Sequence, residues 1–127
     1  MKKIITILTL VFLSNAAMSA QIKTDINSKQ ASTMIAKDNK IIVLDVRTPE
    51  EFSAGHIKGA INIDIRQTDA FSKINRLNKN SKYIVHCRTN RRSAIAVDYM
   101  MKNGFKSIFQ ISDGFSGWEE NKLPKQK

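Results

Sequence analysis

The run His86-Cys87-Arg88-Thr89-Asn90-Arg91-Arg92-Ser93 holds the only cysteine of the 127-residue chain beside three arginines. It follows the apolar Tyr83-Ile84-Val85 and precedes Ser93-Ala94-Ile95-Ala96-Val97, a stretch compatible with a helix. A thiol at a strand-to-helix turn meets backbone N–H groups and the positive end of a helix, a setting that favours the thiolate. The chemistry on offer is nucleophilic attack by sulfur with a covalent intermediate. Stabilising a thiolate by two pKa units takes about 2.7 kcal/mol. A helix end typically supplies about 0.3–1 kcal/mol, up to about 2, so neighbouring guanidinium groups are needed for the remainder.

The neighbours of Cys87 set it apart from a structural cysteine, which sits among apolar residues and is inert. A lone cysteine closes no internal disulfide. His86 precedes the nucleophile on its strand and by alternation points away from it. His56 reads as a hydrogen-bonded histidine fixing the turn before Gly59. Two distant histidines and one cysteine make no metal site, and no cofactor is called for.

The elements that must position this loop alternate. Ile22 to Ile26 predicts a short strand, and Ser28 can cap a helix carrying Ala31, Met34 and Ile35 on one face. Ile41-Ile42-Val43-Leu44 is a continuous apolar run suited to a strand covered on both sides. Thr48-Pro49-Glu50-Glu51 is a capping box with proline at the first helical position; the helix it starts carries Phe52 inward and ends at Gly55. Ala60 to Ile63 predicts the next strand, followed by a helix with Phe71, Ile74 and Leu77 on one face. Tyr83 to His86 is the strand that feeds the cysteine, and the helix after it buries some of Ile95, Ala96, Tyr99 and Met100 before Asn103-Gly104. Ser107 to Ile111 is the last strand, with Phe115 and Trp118 in a terminal helical turn. The expected fold is α/β, a central parallel sheet of about five strands with helices on both faces. Active sites in such sheets lie at the carboxyl ends of the strands, where Cys87 falls.

Residues 1–20 read as an export signal: Lys2 and Lys3, an apolar core from Ile4 to Leu13, then small residues. The core is shorter than the ~20 residues needed to cross a bilayer. Cleavage after Ser19 satisfies the small-x-small rule with Ala17, and cleavage after Ala20 is the alternative. Residues 21–127 are then one domain with a single core. The formal net charge is +10, which favours anionic partners. Lys23, Lys29, Lys37, Lys40, Lys58, Lys73, Lys79 and Lys82 are scattered, however, with no basic helix stripe or interleaved aromatics, so no nucleic-acid partner is expected.

Four stretches now come together: Leu44 to Phe52 (LDVRTPEEF), Gly55 to Ile63 (GHIKGAINI), the loop from Cys87 to Ser93, and Gly114 to Trp118 (GFSGW). In this order they resemble the rhodanese sulfurtransferases, and in its export signal the chain is similar to the periplasmic phage-shock-type members. The resemblance implies that Cys87 takes the outer sulfur of a donor such as thiosulfate, holds it as a persulfide, and passes it to cyanide or a thiol. It implies a loop in which backbone N–H groups from Arg88 to Ser93, with Thr89 and Asn90 between, surround the sulfur. Arg92 is assigned to shaping the loop and holding its charge. Arg88 and Arg91 either attract the anionic donor or are exposed charges without a specific contact. Thr89 and Ser93 can donate to the sulfur, and Ser93 can equally be an ordinary first-turn residue. Asp45 and Arg47 support the site structurally. A periplasmic monomer follows, full secretion being the other outcome of the signal, with a small anionic sulfur donor, a thiol or cyanide acceptor, and no stable membrane insertion.

Two positions depart from the family pattern. Asn90 stands where the loop often has glycine, and asparagine tolerates a left-handed backbone. Asp113 replaces the first glycine of a common pair, which puts the local turn in question. Rival readings are a partner-binding module without catalysis, and a cysteine-dependent phosphatase or arsenate reductase. The phosphatase loop is one residue longer before its arginine, which here falls one early, at Arg92.

Overall fold

The computed structural model describes residues 2–4 and 20–127. The expected leader and its cleavage point fall almost entirely outside them. Five strands, β1 (Ile22–Ile26), β2 (Ile42–Asp45), β3 (Ile61–Asn62), β4 (Lys82–His86) and β5 (Ser107–Ile111), alternate with five helices. These are α1 (Ser28–Lys37), α2 (Pro49–Ala54), α3 (Ala70–Asn75), α4 (Arg91–Lys102) and α5 (Gly114–Glu120). The strands form one parallel sheet in the order β1-β5-β4-β2-β3.

Strand alternation sorts the central residues onto two cores. Leu44, Val46, Tyr83, Val85 and Cys87 face Ala70, Ile74, Ala96, Val97 and Met100 of α3 and α4. Val43 and Ile84 face Ala31 of α1 and Phe115 and Trp118 of α5. Asp45 and His86 share that second face and are register partners on β2 and β4. From this pair of strands the chain leaves in opposite directions, β2 toward β3 and β4 toward β5. Such a switch point opens a crevice at the strand ends, and the loop after β4 sits there. No helix among the described residues is long and apolar enough to cross a membrane.

Several local expectations are corrected. The N-cap of α1 is Asn27, which forms a reciprocal capping box with Gln30; Ser28 is buried and donates elsewhere. Strand β3 is only two residues long because the Asn62 side chain takes over, donating to the carbonyls of Asp45 and Arg47. Helix α3 spans only six residues, and its Ala70 and Ile74 turn the core-facing edge inward. Phe71 lies about 100° around from Ala70 and is 41% exposed, stacked on Tyr99 at 4.2 Å. Ile95 is likewise 54% exposed, since Ser93, Ala96, Val97 and Met100 form the buried face of α4. Phe52 is half-buried and stacks on His56 at 3.8 Å.

Candidate active site

The loop leaves β4 at Cys87, which is 1% exposed, and enters α4 at Arg91. The thiol lies 3.5 Å from the Ser93 hydroxyl oxygen. That hydroxyl donates to the Asn90 carbonyl at 3.1 Å and accepts from the Gln110 side-chain amide at 2.9 Å. Gln110 also donates to the Asn90 carbonyl at 3.2 Å. The carbonyl therefore keeps a donor if the Ser93 proton turns to a thiolate, so a negative sulfur gains a hydrogen bond without leaving a buried acceptor bare.

Helix α5 fixes the direction of the loop. The N–H groups of Phe115 and Ser116 donate to the carbonyls of Cys87 and Arg88 at 2.8 and 3.0 Å. Among the described residues the N–H groups of Arg88, Thr89 and Asn90 meet no protein acceptor, and those of Arg91, Arg92 and Ser93 open α4, where helix donors lack partners. Successive unpaired N–H groups of this kind form an anion-binding concavity. Gly114 makes the approach possible: its φ is +57°, and a Cβ there would lie 2.2 Å from the Thr89 carbonyl oxygen.

Asn90 has φ −152°, so the loop uses no left-handed residue at the position where one was expected to be tolerated. The turn at Asp113 is also orderly. Its carboxylate accepts the N–H and hydroxyl of Ser28, both at 2.8 Å, binding the start of α5 to the start of α1. Gly117 leaves room for it, since a Cβ at Gly117 would fall 2.0 Å from that carboxylate.

The three loop arginines differ in partners. Arg92 pairs with both carboxylate oxygens of Glu51 at 2.7 and 3.0 Å, tying α4 to α2. The Arg92 hydrogen bond, aided by Thr48, holds the Glu51 carboxyl at about 2 against the cost of burial. Arg88 is half exposed and pairs with Glu119 at 2.5 Å, and Lys125 reaches the other oxygen of Glu119 at 3.1 Å. Lys125 and Arg88 together hold that carboxyl below the usual carboxylate range. Arg91 is exposed and makes no ion pair among the described residues.

Asp45 and Arg47 form a buried support beneath the loop. Arg47 Nε lies 2.9 Å and Nη2 2.7 Å from the two carboxylate oxygens, and Nη2 also reaches the Gly55 carbonyl at 2.8 Å. The guanidinium lies 3.9 Å over the Phe115 ring, the residue whose N–H holds the Cys87 carbonyl. His86 fills the space between them, as alternation implies. Its Nδ1 is 3.2 Å from the Cys87 carbonyl oxygen and its Nε2 is 3.5 Å from Asp45, too long for a hydrogen bond. Burial pushes the imidazole pKa down, only partly opposed by Asp45. His56 Nδ1 meets the Phe52 carbonyl at 2.9 Å, and Trp118 donates to the Pro124 carbonyl from the second core.

Two hollows flank the loop, beside a third that borders Asn90 and Arg91 together with Lys23, Asp25 and Gln110. One of about 220 Å³ is lined by Arg47, Glu51, Gly55, Arg88, Phe115 and Glu119. The other, about 560 Å³, is lined by Ile65, Arg66, Thr89, Arg91, Arg92 and Ile95. No metal-holding cluster of His, Cys, Asp or Glu occurs among the described residues. Sequence reasoning missed Gln110, Glu51 and Glu119 as site residues. Gln110 had a signal, a lone amide inside the apolar Ile108-Phe109-Gln110-Ile111, whereas the two glutamates reach the loop only through the fold.

Comparison with known proteins agrees with this geometry. A rhodanese-like domain model matches residues 27–121. The chain is 31% identical to the putative sulfurtransferase YtwF of Bacillus subtilis, over 80% of this chain and 95% of that protein. It is 37% identical to thiosulfate sulfurtransferase 16 of Arabidopsis thaliana, over 64% of this chain and 76% of the relative. Against the putative sulfur carrier protein YrkF of Bacillus subtilis, at 32% identity, it spans only 44% of the relative's length. The crystal structure of a rhodanese-related protein from Thermoplasma volcanium superposes with a TM-score of 0.72 at 32% identity, covering 81% of this chain and 97% of that one. With the domain match running from the cap of α1 to the end of α5, and the cysteine loop at the switch point of the sheet, the chain belongs to the rhodanese-like family.

Proposed function

We propose that this protein is a sulfurtransferase that carries sulfur as a persulfide on Cys87. The observation that carries this reading is the sulfur cradle: Cys87 Sγ at 3.5 Å from a hydroxyl that Gln110 frees to donate, at the mouth of a loop in which the N–H groups of Arg88, Thr89 and Asn90 meet no protein acceptor among the described residues and run into the first turn of α4, which no side chain caps. The names of the relatives from Arabidopsis and Bacillus support the same class of reaction. In the first half-reaction the Cys87 thiolate attacks the outer sulfur of thiosulfate. The sulfur–sulfur bond of the donor breaks, its electron pair leaves with sulfite, and Cys87 holds a persulfide anion stabilised by the loop N–H groups. In the second, cyanide or a thiolate attacks the outer sulfur and the Cys87 thiolate leaves. No net oxidation occurs. Thiosulfate as donor, a monomeric state and export to the periplasm complete the proposal, the last resting on residues 1–20.

The test is thiocyanate formation from thiosulfate and cyanide by the purified protein and its Cys87→Ser variant, with a phosphate monoester in parallel. Turnover by the native protein alone is expected, together with a mass gain of one sulfur atom on Cys87 after thiosulfate. Hydrolysis of the ester without sulfur transfer would make the protein a phosphatase. Inertness to both would leave a binding module.

A further inference from the structure

We propose that the groove on the α3–α4 side of the loop docks a protein thiol acceptor through an acidic segment with apolar neighbours. This rests on the sulfur-transfer reading and names the class of its acceptor. The groove joins Arg66, Arg91 and Arg92 to Ile65, Ile95 and the loop residue Thr89, and no carboxylate among the described residues lines it. Arg66 and Arg91 make no ion pair among the described residues. Of the acids nearby, Asp64 is buried and turned to the Arg66 N–H and the Gln67 side chain, Glu51 is committed to Arg92, and Asp25 is paired with Lys23.

The floor of the groove extends onto an apolar ledge. Ile95 is 54% exposed, Tyr99 follows one helical turn later on the same face, and Phe71 covers Tyr99 while remaining 41% exposed. A small oxyanion would use the arginines and leave this ledge in water. A polyanion without apolar groups would do the same, and the aromatic pair is already stacked on itself. A second copy of this chain, itself strongly basic, is disfavoured by charge. A protein segment with carboxylates beside aliphatic side chains matches both halves of the surface. Its thiolate would attack the outer sulfur of the Cys87 persulfide. The bond from that sulfur to Sγ breaks, its electron pair returns to Cys87 as thiolate, and the persulfide now belongs to the partner.

The experiment uses the full chain loaded with thiosulfate. Loss of the persulfide is followed with three thiols: a synthetic cysteine peptide with Asp, Glu and Leu around the cysteine, its Asn/Gln counterpart, and 2-mercaptoethanol. The acidic peptide should discharge the persulfide about tenfold faster than the neutral one at low salt, with the gap closing as salt is raised. Arg66→Gln and Ile95→Ser should each reduce that advantage about threefold or more, while sulfite release from thiosulfate and discharge by 2-mercaptoethanol stay unchanged. Equal rates for the two peptides, or indifference to both substitutions, would overturn the docking surface while leaving sulfur transfer standing. If no persulfide forms, the sulfur-transfer reading fails on its own. Fluorescence anisotropy with the serine analogue of the acidic peptide then still decides the surface: binding weakened by Arg66→Gln and Ile95→Ser supports it, and no binding removes it.

Discussion

Toward α2 and α5 each guanidinium has a carboxylate of its own: Arg88 meets Glu119, Arg47 is locked on Asp45, and Arg92, which also lines the groove on the α3 side, turns its guanidinium to Glu51 of α2. On the side that faces α3, Arg66 and Arg91 stand without ion pairs among the described residues, over exposed isoleucine and aromatic surface. The same residue type does two jobs within one site. Paired arginines shape the cradle and hold little free charge for a ligand, whereas unpaired ones are available to an anion but fix nothing. Counting arginines near a cysteine therefore overstates the positive field a substrate meets; which face each one occupies decides its role.

The strongest way to break the comparison is to disturb the built side. Gly114→Ala drives a Cβ into the Thr89 and Arg88 carbonyls, 2.2 and 2.5 Å away, from a left-handed backbone. The first turn of α5 and the loop must move apart, and displacements of about 1 Å can cost about 100-fold in rate. Gly104→Ala is the control, since its φ is +84° but nothing lies within 4 Å; it should cost about 1–2 kcal/mol of stability with sulfur transfer intact. Thiocyanate assays and urea melts on both variants separate the two outcomes. Equal activity in both would mean that α5 does not aim the loop.

Much of this arrangement was legible in the sequence because it is local. The β4–loop–α4 order follows from an apolar run, a lone cysteine and a helix-forming stretch, and the capping box at Thr48 to Glu51 forms as spacing predicts. The opposite orientations of Cys87 and His86 follow from strand alternation alone. What could not be read was pairing at long range. Glu51 is forty-one residues from Arg92, and Glu119 thirty-one from Arg88, so the division into paired and free arginines exists only after folding. The exposure of Phe71 was hidden for a different reason. Short helices have too few residues for a hydrophobic period to fix which edge turns inward, and α3 is one of them.

A smaller effect should come from the Arg92–Glu51 pair. Arg92→Gln removes two charge-assisted bonds from partly buried partners, about 2 kcal/mol of stability, measured by urea denaturation at neutral pH. Its pH signature follows from Glu51, whose folded pKa of about 2 lies below the ordinary carboxyl value of 4.5. A depressed carboxyl stabilises the fold fully above the unfolded pKa and loses that contribution as pH falls from about 4.5 toward 2. Glu51→Gln should flatten the stability curve in that window. His86 acts earlier: with its folded pKa lowered from 6.5, the unfolded chain takes up a proton first, and stability declines as pH drops below about 6.5. A curve for Glu51→Gln that still falls as steeply below pH 4.5 would show that the pair is not what holds the built side.

The finest distinction concerns Arg88 and Arg91, neighbours in the loop that differ in having a carboxylate partner. If thiosulfate is gathered by free charge, Arg91→Ala should raise its KM about fivefold, the effect of one unscreened charge at about 4 Å in water, with kcat nearly unchanged. Arg88→Ala should move KM less, because Glu119 already offsets that guanidinium. Glu119→Gln supplies the sharper test, since it releases Arg88 and should lower KM by about twofold. In that background Arg88→Ala should regain the effect it lacked in the native protein, a coupling that a double-mutant cycle reads directly. Lys125, the other partner of Glu119, provides a check: Lys125→Ala tightens the hold of Glu119 on Arg88 and should leave KM no lower than native. Should Arg88→Ala alone cost as much as Arg91→Ala, the pair must open when the donor arrives, and Glu119 is then a latch on the site rather than a fixed counter-charge.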